Sequence, residues 1–93
     1  MNKHTLHFPP SPTTQTVLDT GGGRALHITL SHNQSTTQTV CFYDRDGVLL
    51  AEYQVHPMNC PYTLTFSNRD AFSFSNGLKV NTGACTLNLV VVY

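Results

Sequence analysis

A chain of 93 residues is one domain's length, enough for a single modest core and too little for a deep substrate cavity beside it. Charged residues make up 11% of it, five Lys and Arg against five Asp and Glu, where an ordinary soluble domain carries about 25%. That balance excludes the basic footprint of a nucleic-acid or anionic-membrane binder, and a surface built mainly of Thr, Ser, Asn and Gln opposes association only weakly.

Residues 1–12, MNKHTLHFPPSP, differ from the rest of the chain, because three prolines fall within four positions. Pro9-Pro10 favours an extended polyproline path, and proline donates nothing to a β-ladder. The segment is therefore expected to be an extended Pro-rich N-terminal arm ahead of a β-sandwich domain at 13–93. Leu6, Phe8, Pro9 and Pro10 are its candidate subunit-contact residues, since an arm lying free in water would expose Leu6 and Phe8. Two placements are open: on its own domain, or on a neighbouring subunit. Residues 1–12 lack the apolar stretch of a signal peptide, and no run approaches the ~20 apolar residues of a membrane-spanning helix.

From Thr13 onward the hydrophobic period is two. Residues 14–19 read as a strand, stopped by Gly21-Gly22-Gly23. Residues 24–32 come next, with Leu26, Ile28 and Leu30 expected on one face and Ala25, His27 and Thr29 on the other. Such alternation marks a half-buried strand. Residues 37–43 put Val40 and Phe42 in phase. The turn Asp44-Arg45-Asp46-Gly47 then returns the chain as a hairpin partner over 48–55, whose inward face is ambiguous. After the Pro-bracketed loop at 56–61 come a strand at 62–66, a turn at 67–70, and a short segment burying Phe72 and Phe74. Asn76-Gly77 is a turn, and residues 78–81 carry Leu78 and Val80 in phase. The last strand, 84–93, places Cys85, Leu87, Leu89, Val91 and Tyr93 on one face. Its other face turns apolar at Val90 and Val92, which predicts cover on both sides there. About eight short strands without a helical window indicate an all-β, antiparallel, jelly-roll-like β-sandwich.

Chemistry-bearing residues do not assemble into a motif. His4 and His7 lie on the arm, His27 and His32 point to opposite faces of one strand, and His56 sits in a Pro loop, with no HxH or HExxH spacing. Cys41, Cys60 and Cys85 are an odd set without a CxxC pair, read as reduced thiols rather than a disulfide or zinc framework. Asp44-Arg45-Asp46-Gly47 is too short for a calcium loop and suits a hairpin turn. Asp19, Asp44, Asp46 and Asp70 fall at strand ends or turns, where they do not pair for acid–base work. The triple glycine precedes a strand and lacks the Lys of a phosphate loop. No enzyme activity, cofactor, metal or small-molecule substrate is expected.

From residue 37 to the end the chain resembles small β-sandwich virion proteins of tailed bacteriophages. The elements that carry the likeness are Tyr43-Asp44 before a hairpin, Phe74-Ser75-Asn76-Gly77-Leu78-Lys79-Val80, the Thr82-Gly83 turn, and a final Thr/Val-rich strand ending in Tyr93. The arm is not part of it. The resemblance implies a non-enzymatic structural protein of the virion, made in the host cytoplasm. The first expectation is a capsid decoration (cement) protein that binds the major capsid protein and copies of itself, as dimers or trimers. A tail, neck or fibre-associated protein is the second. A lectin-like module using Tyr43 beside Asp44, or Tyr62, is a third.

Overall fold

In the computed structural model, which describes residues 2–65 and 72–93, the period-two segments become strands β1 (Lys3–Phe8), β2 (Gln15–Leu18), β3 (Gly23–Ser31), β4 (Gln38–Tyr43), β5 (Leu49–Val55), β6 (Tyr62–Thr65), β7 (Phe72–Phe74), β8 (Leu78–Asn81) and β9 (Thr86–Val92), with one 3-10 turn at Pro57–Asn59 between β5 and β6. The larger sheet runs β1-β9-β3-β6, with β7 also on β3, and the smaller runs β2-β8-β4-β5. Every pairing is antiparallel. β6 pairs with β3 from His27 to Leu30 and β7 from Gly23 to Ala25, so the two lie along successive stretches of one β3 edge. Phe66, at the end of the fifth expected strand, and the turn expected at 67–70 lie outside the described residues.

The sheets enclose one core. Ala25, Ile28, Leu30, Leu87, Leu89 and Val91 from the larger sheet meet Val40, Phe42, Val55, Leu78 and Val80 from the smaller. The inward face of β9 is the one its alternation predicts. Each fully buried aliphatic contributes about 1.5–3 kcal/mol. Phe42 ties the layers together: its ring centre lies 5.2 Å from Phe72 and 6.1 Å from Tyr53, distances at which aromatic pairs add to the burial they share.

Three segments depart from the expected reading. Within the first twelve residues, Lys3–Phe8 is a strand hydrogen-bonded to β9, with Lys3 opposite Val92 and Phe8 opposite Leu87. Leu6 and Phe8 pack against the chain's own core, while Pro9 and Pro10 are exposed. In β3 the expected face of Leu26, Ile28 and Leu30 is broken by a bulge: Ala25 pairs with Val91 and His27 with Val90, leaving Leu26 as the extra residue. An extra residue reverses the phase, so Ala25 is buried together with Ile28 and Leu30. In β5 the ambiguous face has the same cause, a register shift where Phe42 pairs with Ala51 and Tyr43 with Leu49.

The strand register defines two ends. One gathers the connections 9–14, 32–37, 56–61 and 82–85. There Thr82, 1% exposed, accepts a hydrogen bond from the Ser11 amide and donates one to the Pro9 carbonyl, each at 3.2 Å. The opposite end gathers 19–22, 44–48 and 75–77. Gly77 N–H donates to Gly21 O at 2.7 Å, Arg45 N–H to Asn76 O at 2.8 Å, and Asn76 Nδ2 to Asp46 Oδ2 at 2.9 Å. Gly77 has φ +72°, and a Cβ there would come within 2.6 Å of the Asp19 carbonyl, so both conformation and space call for glycine.

Candidate functional site

The structure gives the histidines separate tasks. His7 Nδ1 lies 2.7 Å from Asn88 Oδ1, and His27 Nδ1 lies 2.9 Å from Thr65 Oγ1. His4 stacks on Tyr93 at 4.0 Å and 11°. His32 bonds the Val55 carbonyl through Nε2 at 2.8 Å and accepts the Gln34 amide at Nδ1, a pairing that selects the Nε2–H tautomer. His56 accepts the Met58 amide at Nδ1 and caps the 3-10 turn. Among the described residues, no three His, Cys, Asp or Glu side chains stand close enough to hold a metal ion.

The thiols are also apart in role. Burial, with Cys60 adding, pushes the Cys85 thiol above its ordinary 9.0, which keeps it in the unreactive protonated form. The neighbouring Cys41 thiol, more than the nearby Glu52 charge, raises the Tyr43 pKa above its ordinary 10.0. Tyr43 and Tyr62 lie in different sheets. Tyr43 lines an open hollow of about 270 Å³ with Thr14, Gly47 and Lys79. Its neighbour Asp44 is committed to the turn, where Oδ1 accepts the Asp46 and Val48 amides at 2.8 and 3.0 Å.

A different feature stands out on the outer face of the larger sheet. Leu89 and Val91 point into the core, so Val90 and Val92 point away from it. Register places them in two outward rows, Lys3–Val92–Arg24–Ser73 and Thr5–Val90–His27–Thr65. Leu26, the bulge residue, sits between these rows. Leu26, Val90 and Val92 are each half-buried and lie outside the core cluster. They form an aliphatic centre with Lys3 and Arg24 at its rim and no described carboxylate in either row. A third row, His7–Asn88–Thr29–Thr63, is wholly polar. Beside Arg24, an open concavity of about 720 Å³ runs past Ser73, Phe74 and Ser75.

A second apolar feature is the β4–β5 hairpin, where Val48 and Leu49 are 57% and 50% exposed. Asp44 and Asp46 stand in the turn before them, and Glu52 is exposed further along β5. At the other end Met58 is 84% exposed, in the connection after β5. The sequence signals the β9 part of the first feature through its apolar outer positions. Simple alternation assigns Leu26 to the core instead, because the bulge leaves no mark in the residue pattern. Of the arm residues singled out for contact, the structure leaves only Pro9 and Pro10 exposed. Comparison with protein-family models, with curated proteins and with solved structures gives no match to this chain.

Proposed function

We propose that this chain is a non-enzymatic structural protein of a tailed-phage virion, a capsid decoration protein that binds the major capsid protein and copies of itself. The observation that carries the reading is the outer face of the larger sheet, where an aliphatic centre of Leu26, Val90 and Val92 lies inside a polar and cationic rim. Apolar centre and polar rim are the anatomy of a protein–protein contact. The resemblance of residues 37–93 to phage sandwich proteins supplies the class of assembly.

We read the sandwich as a jelly roll. The orders β1-β9-β3-β6 and β2-β8-β4-β5 support this when β6 and β7, which share the β3 edge, count as one interrupted strand. Shell contact is assigned to the end that presents Pro9, Pro10 and Met58, all exposed. The prolines lower the entropy lost when that short extended segment orders against a partner. Leu6 and Phe8, already engaged with the core, support it from behind.

The test is co-sedimentation of the purified chain with shells that lack it. Saturable binding is expected, weakened by Met58→Glu. Failure to bind such shells at any concentration contradicts the reading.

A further inference from the structure

We propose that the outer face of the larger sheet docks the β4–β5 hairpin tip of a second copy of this chain, so that copies associate head to tail. This rests on the assembly reading and specifies its self-contact on that same outer face, whereas shell contact is assigned to the end that presents Pro9, Pro10 and Met58, so the two fail separately.

The two surfaces are complementary in charge, and both have an apolar centre. The face offers Leu26, Val90 and Val92, flanked by Lys3 and Arg24. The tip offers Val48 and Leu49, the most exposed aliphatic pair among the described residues, flanked by Asp44, Asp46 and Glu52. Arg45 is the cation within the tip, and Lys79 stands two strands from Leu49, across Tyr43. Carboxylates still outnumber cations on the turn and the strand after it. The face is a fully paired antiparallel ladder, so it accepts an exposed hairpin tip without moving its own backbone. The apolar pair supplies most of the affinity, and the rim charges set orientation and speed of encounter.

The tip is also held rigid. The Asp44 carboxylate accepts two amides, the Asp44 amide donates to Val48 O at 2.9 Å, and Gly47 takes φ +83°. Asn76 Nδ2 fixes the Asp46 carboxylate from the neighbouring connection. A side chain pair presented on a fixed turn loses little freedom on docking. The two surfaces are different patches of one molecule, so the contact is heterologous and generates a closed ring where the rotation closes, or an open chain where it does not.

Heterologous contact makes a test that a symmetric dimer would fail. Two double variants are made in the full chain, Lys3→Glu with Arg24→Glu on the face, and Val48→Lys with Leu49→Lys on the tip. Thermal unfolding confirms that each still folds. Sedimentation velocity of the wild-type chain, run up to about 1 mM, is expected to show association that grows with concentration. Each variant alone is expected to associate at least about tenfold more weakly. An equimolar mixture pairs the intact tip of the first with the intact face of the second and is expected to form a one-to-one dimer. Wild-type chain that stays monomeric throughout overturns the proposal, as does association that survives both variants, or a mixture no larger than its components. A monomeric chain that still co-sediments with shells would overturn this contact and leave the shell reading standing.

Discussion

On the larger sheet the outward rows run Lys3–Val92–Arg24–Ser73 and Thr5–Val90–His27–Thr65, whereas on the smaller sheet they run Thr16–Lys79–Tyr43–Leu49 and Asn81–Cys41–Glu52. The inward rows of both are nearly interchangeable, a mixture of Leu, Ile, Val and Phe. Antiparallel alternation lets each strand carry two unrelated messages, one for folding and one for the surface. The larger sheet places aliphatic and cationic groups outward. The smaller places a thiol, a phenol and a carboxylate there beside a single lysine, Lys79, and ends in the apolar hairpin tip. What distinguishes the sheets is therefore written in every second residue only.

Substitutions that respect or violate this division sharpen the comparison. The largest losses are expected inside, from either sheet. Phe42→Ala is expected to cost about 3–5 kcal/mol and Leu89→Ala about 2–5 kcal/mol of unfolding free energy in denaturant titrations. Phe42 stands at the upper end because its ring also meets Phe72 and Tyr53. Gly77→Ala comes next, at about 1–3 kcal/mol by the same measurement, because φ +72° and the Asp19 carbonyl both oppose a side chain. Asp44→Ala is expected to cost about 1 kcal/mol, since the Asp46 and Val48 amides lose their shared acceptor.

A paired substitution on β9 isolates the two faces directly. Val91→Thr buries a hydroxyl and is expected to lose roughly 1–3 kcal/mol. Its neighbour Val92→Thr, facing outward, is expected to change stability by less than about 0.5 kcal/mol. Equal losses at both positions would break the comparison.

Two groups packed in or against the core contribute to the pH dependence. Burial raises the Tyr53 pKa above its ordinary 10.0, with Tyr62 adding, and raises the Cys85 pKa above 9.0. A raised pKa favours the protonated form in the folded state, so its stabilising share is full below the unfolded value. It is lost as pH rises from about 9 through the folded values. Melting temperature is expected to hold up to that range and then fall. Cys85 is expected to resist alkylation near neutral pH until the chain unfolds.

Much of the two-sheet architecture was legible because β9, β4 and β8 alternate without interruption, and because Asp44-Arg45-Asp46-Gly47 and Asn76-Gly77 specify turns by their own chemistry. The first segment was harder. Its prolines dominate the local reading, although His4, Leu6 and Phe8 alternate with Lys3, Thr5 and His7 just as a strand requires. What joins them to β9 is a pairing across nearly the whole chain, which local pattern does not record. The bulge at Leu26 was not legible either: an extra residue changes phase without changing composition. The aliphatic centre of the outer face depends on that bulge and on register between β3 and β9. It emerges only when the strands are assembled.

Counting this chain in purified virions, by densitometry against the major capsid protein, tests the central claim most directly. Shell decoration predicts hundreds of copies per particle. Tens or fewer would place the chain in a tail or neck instead, and its absence from virions would contradict the account.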